Sequence, residues 1–514
     1  MTEHPLPGTS AMEAPVVVAS NRGPISYSRD DRGRLVPSKG AGGLVTALSG
    51  VFFHDDATWV AAAISDEDVE IARGGRAVGA GPSQRVRFVD IPSDRFDLYY
   101  NEFANRVLWF IHHYLWDVPR APVFGDLTHE AWRAYTEVNL AFAQELAKEA
   151  KRDPVYLVQD YHLALVPRML RELAPNARIV HYTHTPFAGA QYLRILPTRI
   201  RQDLIRGMAG ADIIGFQSRA WAENFLLCAR QVPDLHVDLR SGRVASEDHE
   251  GQVRTLPVAV NPHALREAAT TDRAKEARLE VDEVRGDRKL LLRVDRLEPS
   301  KNIVRGFLAY ELFLKQHKEW RGKVTFLALF SPTREKLVEY QTYADECLGE
   351  ATRINEELGT KGWEPIEIRL QEDFLYAVGA YGAYDALMVN SVFDGMNLVA
   401  MEGPLMNERH GALILSTNVG AIGRIGRYAL TTNPFDVQET ADAIAAAMEL
   451  PKEERRRRAR GISRSVLAHT PETWLWNQLE GVDELRRRSL EPSEKSQEPD
   501  QPRRTFDDQI GGGY

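Results

Sequence analysis

Short uninterrupted apolar runs punctuate the first half of the chain: Val16-Val17-Val18-Ala19, Val155-Tyr156-Leu157-Val158, Ile179-Val180-His181-Tyr182 and Ile213-Ile214-Gly215-Phe216. Runs this short, with no polar alternation, predict parallel strands buried on both faces. Between the first two lie residues 130–152, with apolar side chains at Trp132, Tyr135, Val138, Leu140, Phe142 and Leu146. That spacing predicts a helix with one buried face. The second half repeats the alternation. Strands are expected at 289–294, 324–329, 366–370, 386–389 and 412–415, with an amphipathic helix at 303–317. Strand and helix in turn mean a layered α/β sheet. The stretch 264–287 is charged and weakly apolar, so two α/β domains joined near residue 260 are expected. Trp474, Leu475, Leu479, Val482 and Leu485 predict one last amphipathic helix.

The two ends read differently. Residues 1–14 look like a loose tail, and residues 491–514, rich in Pro, Glu, Gln, Ser and Gly, lack the apolar surface to order themselves. Arginine and glutamate crowd residues 453–460, which read as a solvated helix face. The 514 residues allow about three domains or two large ones. Sixty-four basic against 73 acidic residues leave a net charge of −9, which argues against a surface built to grip nucleic acid. Only Cys228 and Cys347 are present, so a disulfide scaffold and a cysteine-rich zinc module are excluded and a reducing compartment is expected. The start of the chain lacks a basic segment followed by an apolar run, and no stretch is apolar enough to cross a bilayer. A cytoplasmic protein without membrane contact is the expectation.

Candidate chemistry gathers where strands end. Ser20-Asn21-Arg22 follows the first strand, at the sheet edge where open α/β folds bind ligands. The Arg22 fork suits a phosphate; a cap or surface pair is the plain alternative. Gly40-Ala41-Gly42-Gly43 precedes an expected helix start at Leu44, where backbone amides could approach a phosphate, though neither P-loop nor dinucleotide spacing is present. Asp160-Tyr161-His162 and His184-Thr185-Pro186-Phe187 each follow a strand. A metal site there is the minority reading, because no third ligand recurs at helical spacing. Arg296 and Lys301 flank a Pro-containing turn before a helix, so both can converge on one diphosphate. Ser331-Pro332-Thr333-Arg334 repeats that layout. In Asp394-Gly395-Met396-Asn397-Leu398-Val399, followed by Glu402, the two carboxylates are expected two helical turns apart on one side of a helix, with amides and carboxylates suited to sugar hydroxyls. For Asp394 the plain alternative is a helix cap.

In this order, over about residues 16–436, these segments resemble the trehalose-6-phosphate synthase family, retaining glycosyltransferases of the GT-B type. Tyr99-Tyr100-Asn101, Val107-Leu108-Trp109, Gly215-Phe216-Gln217, Arg353-Ile354-Asn355 and Asn433-Pro434 join the match. The resemblance implies an α/β fold of two Rossmann-like domains facing a cleft. An acceptor domain would span 15–262 and a nucleotide-sugar domain 263–470. A helix at 471–488 would return to the first domain, before a disordered tail at 489–514. It implies glucose transfer from a nucleoside-diphosphate glucose to glucose 6-phosphate with retained anomeric configuration, and neither metal ion nor cofactor. Arg296 and Lys301 would hold the donor diphosphate, and Glu402 the ribose. Asp394 and the amides of Gly395, Met396, Asn397, Leu398 and Val399 would hold donor sugar and phosphates, with His184 on the sugar and Gly43 on the phosphate. Arg22, Tyr100 and Arg334 would grip the acceptor phosphate beside Trp109, with Asp160 on acceptor hydroxyls. A homo-oligomer is left open.

Three segments depart from the family pattern. Ala62 stands where a tryptophan normally lines the acceptor pocket, His-Thr-Pro-Phe-Ala replaces His-Ile-Pro-Phe-Pro at 184–188, and Gly403-Pro404-Leu405-Met406-Asn407-Glu408 resembles the validoxylamine phosphate synthase branch. Another phosphorylated acceptor, as in glucosylglycerol-phosphate synthesis, or a pseudo-glycosyl coupling, is therefore the alternative. A metal-dependent phosphohydrolase would need acidic clusters around His162 and His184. A non-catalytic sensor would be expected to have lost one of Arg296, Lys301 or Asp394, and all three are present.

Overall fold

A computed structural model describes residues 10–39, 48, 57–75, 77–81 and 84–490. Its strands in chain order are β1 (Val16–Ser20), β2 (Ile25–Arg29), β3 (Leu35–Lys39), β4 (Ala57–Ala62), β5 (Val78–Gly81), β6 (Gln84–Val89), β7 (Val155–Gln159), β8 (Arg178–Thr183), β9 (Ile213–Phe216), β10 (His236–Asp238), β11 (Arg243–Ala245), β12 (Glu250–Thr255), β13 (Lys289–Arg296), β14 (Val324–Ser331), β15 (Ile366–Leu370), β16 (Ala386–Val389), β17 (Ala412–Ser416) and β18 (Leu430–Thr432). The first sheet runs β10-β11-β12-β9-β8-β7-β1-β4-β6-β5 and the second β15-β14-β13-β16-β17-β18. β2 and β3 form a separate hairpin.

The order of the second sheet is that of a dinucleotide-binding doubly wound fold. The chain leaves β13 toward β14 on one side, then returns to lay β16 on the other, pairing Leu291 with Ala386. In the first sheet β1 pairs in parallel with both β4 and β7, so the order reverses between β1 and β7. A crevice opens beyond the carboxyl ends of strands at such reversal points. Arg22 follows β1, Asp160 follows β7, Arg296 closes β13, and Asp394 lies shortly after β16.

The expected strands are present, and β13 and β14 run two residues past their apolar cores. The helix expected at 130–152 spans Asp126–Ala147. Leu140, counted in its apolar stripe, is 41% exposed, while Ala131, Ala134 and Ala143 supply much of the buried face. One element had no counterpart in the sequence reading: residues Leu98–Leu108 form a π-helix, whose exit is marked by the Trp109 amide donating to the Ala104 carbonyl. Its wider turn carries Tyr100 and delivers Trp109 to the crevice. π-Helical turns are rare and gather at functional sites.

Helix Pro262–Ala269 packs on helices Phe374–Tyr381 and Val399–Met406 of the second sheet's domain. Helix Lys452–Leu467 also packs there, burying Ala459, Ile462 and Val466 while Arg456 and Arg457 stay exposed. Helix Pro471–Leu490 then crosses back onto β8 and β9. Trp474 anchors it: the buried indole N–H donates to the Leu256 carbonyl at 3.0 Å, and the ring meets Tyr182 edge-on at 4.9 Å. Residues 10–14, read as part of a loose tail, are packed against the same helix. The Asp483 carboxylate accepts from the Ser10 hydroxyl and the Ala11 amide, and Ala11 and Ala14 are fully buried. The rest of that tail, and residues 491–514, lie outside the described residues. Among the described residues no helix is long and apolar enough to cross a membrane.

Trp474→Ala removes a buried ring and its hydrogen bond from the crossing helix. It should destabilise the protein by about 3–5 kcal/mol, the usual cost of deleting a core aromatic. Chemical denaturation checks this, and an unchanged midpoint would mean that the helix is not held there.

Candidate functional site

The turn after β1 is fixed by its own side chains. Ser20 Oγ donates to the Arg22 carbonyl at 2.6 Å and accepts from the Trp59 indole at 2.7 Å, while Tyr99 Oη donates to Asn21 Oδ1 at 3.0 Å. Arg22 is left facing outward. With Tyr100 and Arg334 it lines a cavity of about 1000 Å³, whose far wall includes Ala63, Ile64 and Asp97. Burial would raise the Tyr100 hydroxyl, but Arg22 and Arg334 outweigh it and hold its pKa below the ordinary range. Tyr100 is wedged between Phe96 and the His162 ring at 5.3 and 5.6 Å. Ala62, expected to face this cavity, belongs to the buried core beside Tyr99 and Phe103; Ala63 and Ile64 form the wall instead.

Arg334 follows β14 in a left-handed backbone conformation (φ 49°). Its guanidinium lies 3.9 Å from the centroid of the Trp109 ring and donates to Tyr340 Oη at 2.6 Å and, at 3.4 Å, to Tyr161 Oη. Arg296 lies over the same Trp109 ring at 5.1 Å, so the tryptophan is shared by both arginines. His113 stacks on it at 3.9 Å.

Glu298, two residues past Arg296 and fully buried, is the group that sequence reasoning passed over. Its Oε1 accepts from Arg296 at 3.1 Å and from Ser300 Oγ at 2.8 Å, and lies 4.0 Å from Lys301 Nζ. Its Oε2 accepts from Arg334 at 3.4 Å. Burial pushes this carboxyl up, yet Arg296, Arg334 and Lys301 outweigh burial and keep it ionised, with its pKa below the usual range. The signal was present: a carboxylate standing between two cations in a single turn. Lys301 in turn donates to Asp394 Oδ2 at 2.6 Å. Burial opposes the lysine's charge, and the carboxylates of Asp394, Glu298 and Asp295 raise its pKa in spite of it.

Asp394 and Glu402 do not share a helix. The helix begins at Val399 with Leu398 before it, so Asp394 sits in a loop five residues upstream. There its Oδ2 accepts from Lys301, from Asn397 Nδ2 at 3.0 Å and from Ser391 Oγ at 3.2 Å. The glycine in that loop is required by a close approach. A Cβ on Gly395 would lie 1.8 Å from the His184 carbonyl oxygen, across the crevice on the first domain. The Gly395 carbonyl accepts from the Trp221 indole at 3.2 Å. Asn397 takes a left-handed conformation (φ 63°), and the amides of Gly395, Met396, Asn397 and Leu398 donate to no group among the described residues. Such amides before a helix start form an anion site. Glu402, in the first helical turn, is pushed up to about 7 by burial, partly offset by a hydrogen bond from Tyr381 Oη at 3.3 Å.

His184 is held from both sides. Its Nε2 lies 2.9 Å from Gln159 Oε1 and its Nδ1 3.4 Å from Gln217 Nε2, while Gln217 Oε1 accepts from the Val258 amide. That chain sets the Nε2–H tautomer. Burial lowers its pKa to about 3, so the ring is neutral at physiological pH. The His184 amide donates to Asp160 Oδ1 at 3.1 Å, and burial raises the Asp160 carboxyl to about 6. Asp160 has φ 73° and does not line the cavity of Arg22. Gly43 and the expected helix start at Leu44 lie outside the described residues. Among the described residues no group of three or more His, Cys, Asp or Glu side chains is gathered as a metal site.

Two basic clusters thus meet through one carboxylate, in a crevice between two doubly wound domains. The model of glycosyltransferase family 20 matches residues 14–484. The chain belongs to glycosyltransferase family 20. The α,α-trehalose-phosphate synthase [UDP-forming] of Schizosaccharomyces pombe is 31% identical over 486 residues, covering 91% of this chain and 90% of that protein. The trehalose-6-phosphate synthase of Mycobacterium avium is 32% identical over 483 residues, covering 91% and 95%. Among solved structures, an α,α-trehalose-phosphate synthase (UDP-forming) from Burkholderia xenovorans in complex with glucose-6-phosphate superposes with a TM-score of 0.80 at 26% identity, covering 91% of this chain and 100% of that one. This glycosyltransferase has the GT-B fold of these structures.

Two predictions follow from the loop at 394–402. Gly395→Ala in this glycosyltransferase places a methyl group against the His184 carbonyl and forces the domains apart. Turnover should fall by about 100-fold, as for a displacement of about an ångström at a reacting pair. Steady-state kinetics on folded protein read this, and wild-type turnover would show that the approach is dispensable. The Glu402 carboxyl binds its proton more tightly folded than unfolded, so stability is lost as pH rises from its ordinary value of 4.5 to about 7. Glu402→Gln mimics the neutral form. The variant's melting temperature relative to wild type should therefore increase from about pH 5 to about pH 8. A difference that stays constant with pH would contradict the raised pKa.

Proposed function

We propose that this protein is a retaining glucosyltransferase that moves glucose from a nucleoside-diphosphate glucose, UDP-glucose first among them, to glucose 6-phosphate. The products are trehalose 6-phosphate and the nucleoside diphosphate. The observation that carries the reading is the pair of cation clusters that share Glu298 and Trp109: Arg296 with Lys301 on one side, Arg334 with Arg22 and Tyr100 on the other. Each reactant brings one phosphorylated group, and two such clusters hold the two groups at adjoining positions. The names of the relatives, and the glucose-6-phosphate bound in one of them, support the same assignment.

Arg296 and Lys301 would bind the donor diphosphate and stabilise the charge that builds as the glycosidic bond breaks. Amides 395–399 would add donors to that anion, Gly43 would lie against the donor phosphate, and Glu402 would accept from the ribose hydroxyls. Arg22, Tyr100 and Arg334 would hold the acceptor phosphate, with Trp109 as the floor beneath Arg334. Asp160 would accept from acceptor hydroxyls. His184, neutral and fixed by two glutamines, would border the donor sugar without exchanging a proton.

Asp394 is a poor nucleophile. One of its oxygens already accepts three hydrogen bonds, and Lys301 holds its pKa below the carboxylate range despite burial. This favours retention without a covalent intermediate: the acceptor hydroxyl attacks on the face from which the diphosphate departs, and the departing phosphate takes its proton. Catalysis then rests on positioning and charge stabilisation. The buried, unpaired Cys228 and Cys347 suit a reducing compartment, and we assign the activity to the cytoplasm.

The test is purified protein with UDP-, GDP- or ADP-glucose against glucose 6-phosphate, glycerol 3-phosphate and unphosphorylated glucose, with products identified by mass and NMR. Trehalose 6-phosphate should form, and Arg296→Ala should abolish it while leaving the fold intact. Nucleotide release only with an unphosphorylated acceptor would overturn the phosphate-binding roles of Arg22, Tyr100 and Arg334.

A further inference from the structure

We propose that Glu298 is a positioning residue that couples the donor clamp to the acceptor clamp through its negative charge; this rests on the function proposed above. The residue is fully buried, and its two oxygens face different ways. Oε1 accepts from Arg296 at 3.1 Å and faces Lys301 at 4.0 Å, both on the donor side. Oε2 accepts from Arg334 at 3.4 Å, on the acceptor side. Ser300 Oγ, at 2.8 Å from Oε1, fixes the rotation of the carboxylate, and the Lys301 amide donates to the Glu298 carbonyl at 3.1 Å. Each arginine has a second shared neighbour in the Trp109 ring, at 5.1 Å for Arg296 and 3.9 Å for Arg334. Neither arginine can be re-aimed by an incoming phosphate without changing what Glu298 offers the other. One carboxylate therefore ties the place of the diphosphate to the place of the acceptor phosphate, and so sets the gap that the glucosyl group must cross.

A packing role and a charge role make opposite predictions here. Glutamine keeps the shape of Glu298 but turns an NH₂ toward a cation. Aspartate keeps the charge but leaves a gap. If Glu298 acts by charge, Glu298→Gln lowers kcat by about 100-fold while both KM values stay within about threefold, the pattern of reactants bound but misplaced. Glu298→Asp then recovers most of that loss, to within about tenfold of wild type. Rates are normalised to the folded fraction measured by circular dichroism. Overturning results are a tolerated Gln with a damaged Asp, a rise in only one KM at unchanged kcat, or a lowered melting temperature with normal kcat. Should Glu298→Gln fail to fold, wild-type protein carries the test by calorimetry. Saturating UDP should then change the Kd of glucose 6-phosphate by at least about fivefold, and equal values overturn the inference. Failure of the proposed reaction shows separately, as wild-type protein that does not turn over UDP-glucose and glucose 6-phosphate, and the calorimetric arm still decides the coupling.

Discussion

Three buried or half-buried cations cannot share a crevice without an anion among them. At about 4 Å and an effective dielectric constant of about 20, each like-charged pair repels by about 4 kcal/mol. Glu298 contacts Arg296, Arg334 and Lys301, and Asp394 takes the lysine's proton-bearing nitrogen directly. Removing one partner from such a buried cluster costs about 3–5 kcal/mol, because the charges left behind have neither water nor a counter-ion. The rest of the site is arranged around this balance. The cations are kept ionised and aimed by two carboxylates, and additional negative charge from phosphates can be received on their outer faces.

The scaffold makes that balance possible by bringing strand ends together. The reversal between β13 and β16 puts the Arg296 turn beside the Asp394 loop, and the reversal between β1 and β7 puts Arg22 near Asp160. The domains then touch at Gly395, where a bare backbone meets the His184 carbonyl, and at Arg334, which leans on Trp109 and Tyr161 of the first domain. Helix Pro471–Leu490 closes the loop by binding the end of the chain to β8, whose terminus carries His184. The site thus sits where two sheets, a glycine contact and a returning helix are mutually constrained.

Much of this was legible from residue order. Apolar runs marked the buried parallel strands because such strands have no solvent face to encode. The weaker strands escaped notice for the converse reason: β4 is rich in alanine, and in β6 Arg85 and Arg87 alternate with Val86 and Phe88. The cations of the site were visible because Arg296, Lys301 and Arg334 stand in turns before helices. Glu298 was not, because its meaning depends on Arg334, which is distant in sequence and reaches it only after β13 and β14 pair. The placement of Asp394 and Glu402 on one helix failed because Asn397 adopts a left-handed conformation and delays the helix to Val399. Ala62 was misplaced because alternation along β4 sends neighbouring alanines to opposite faces.

The winding of residues Leu98–Leu108 has a consequence for how such a pocket can diversify. Each turn there holds one residue more than an α-helix would, and the surplus sets the angle at which Trp109 emerges beneath both arginines. Loss of a single codon in that stretch would let the backbone relax to ordinary winding and swing everything after it by roughly 100°. The indole would leave the arginines without any point substitution in the pocket. Insertions and deletions in this one segment therefore offer lineages a coarse dial for remodelling the acceptor side, whereas exchanges of side chains provide only the fine one.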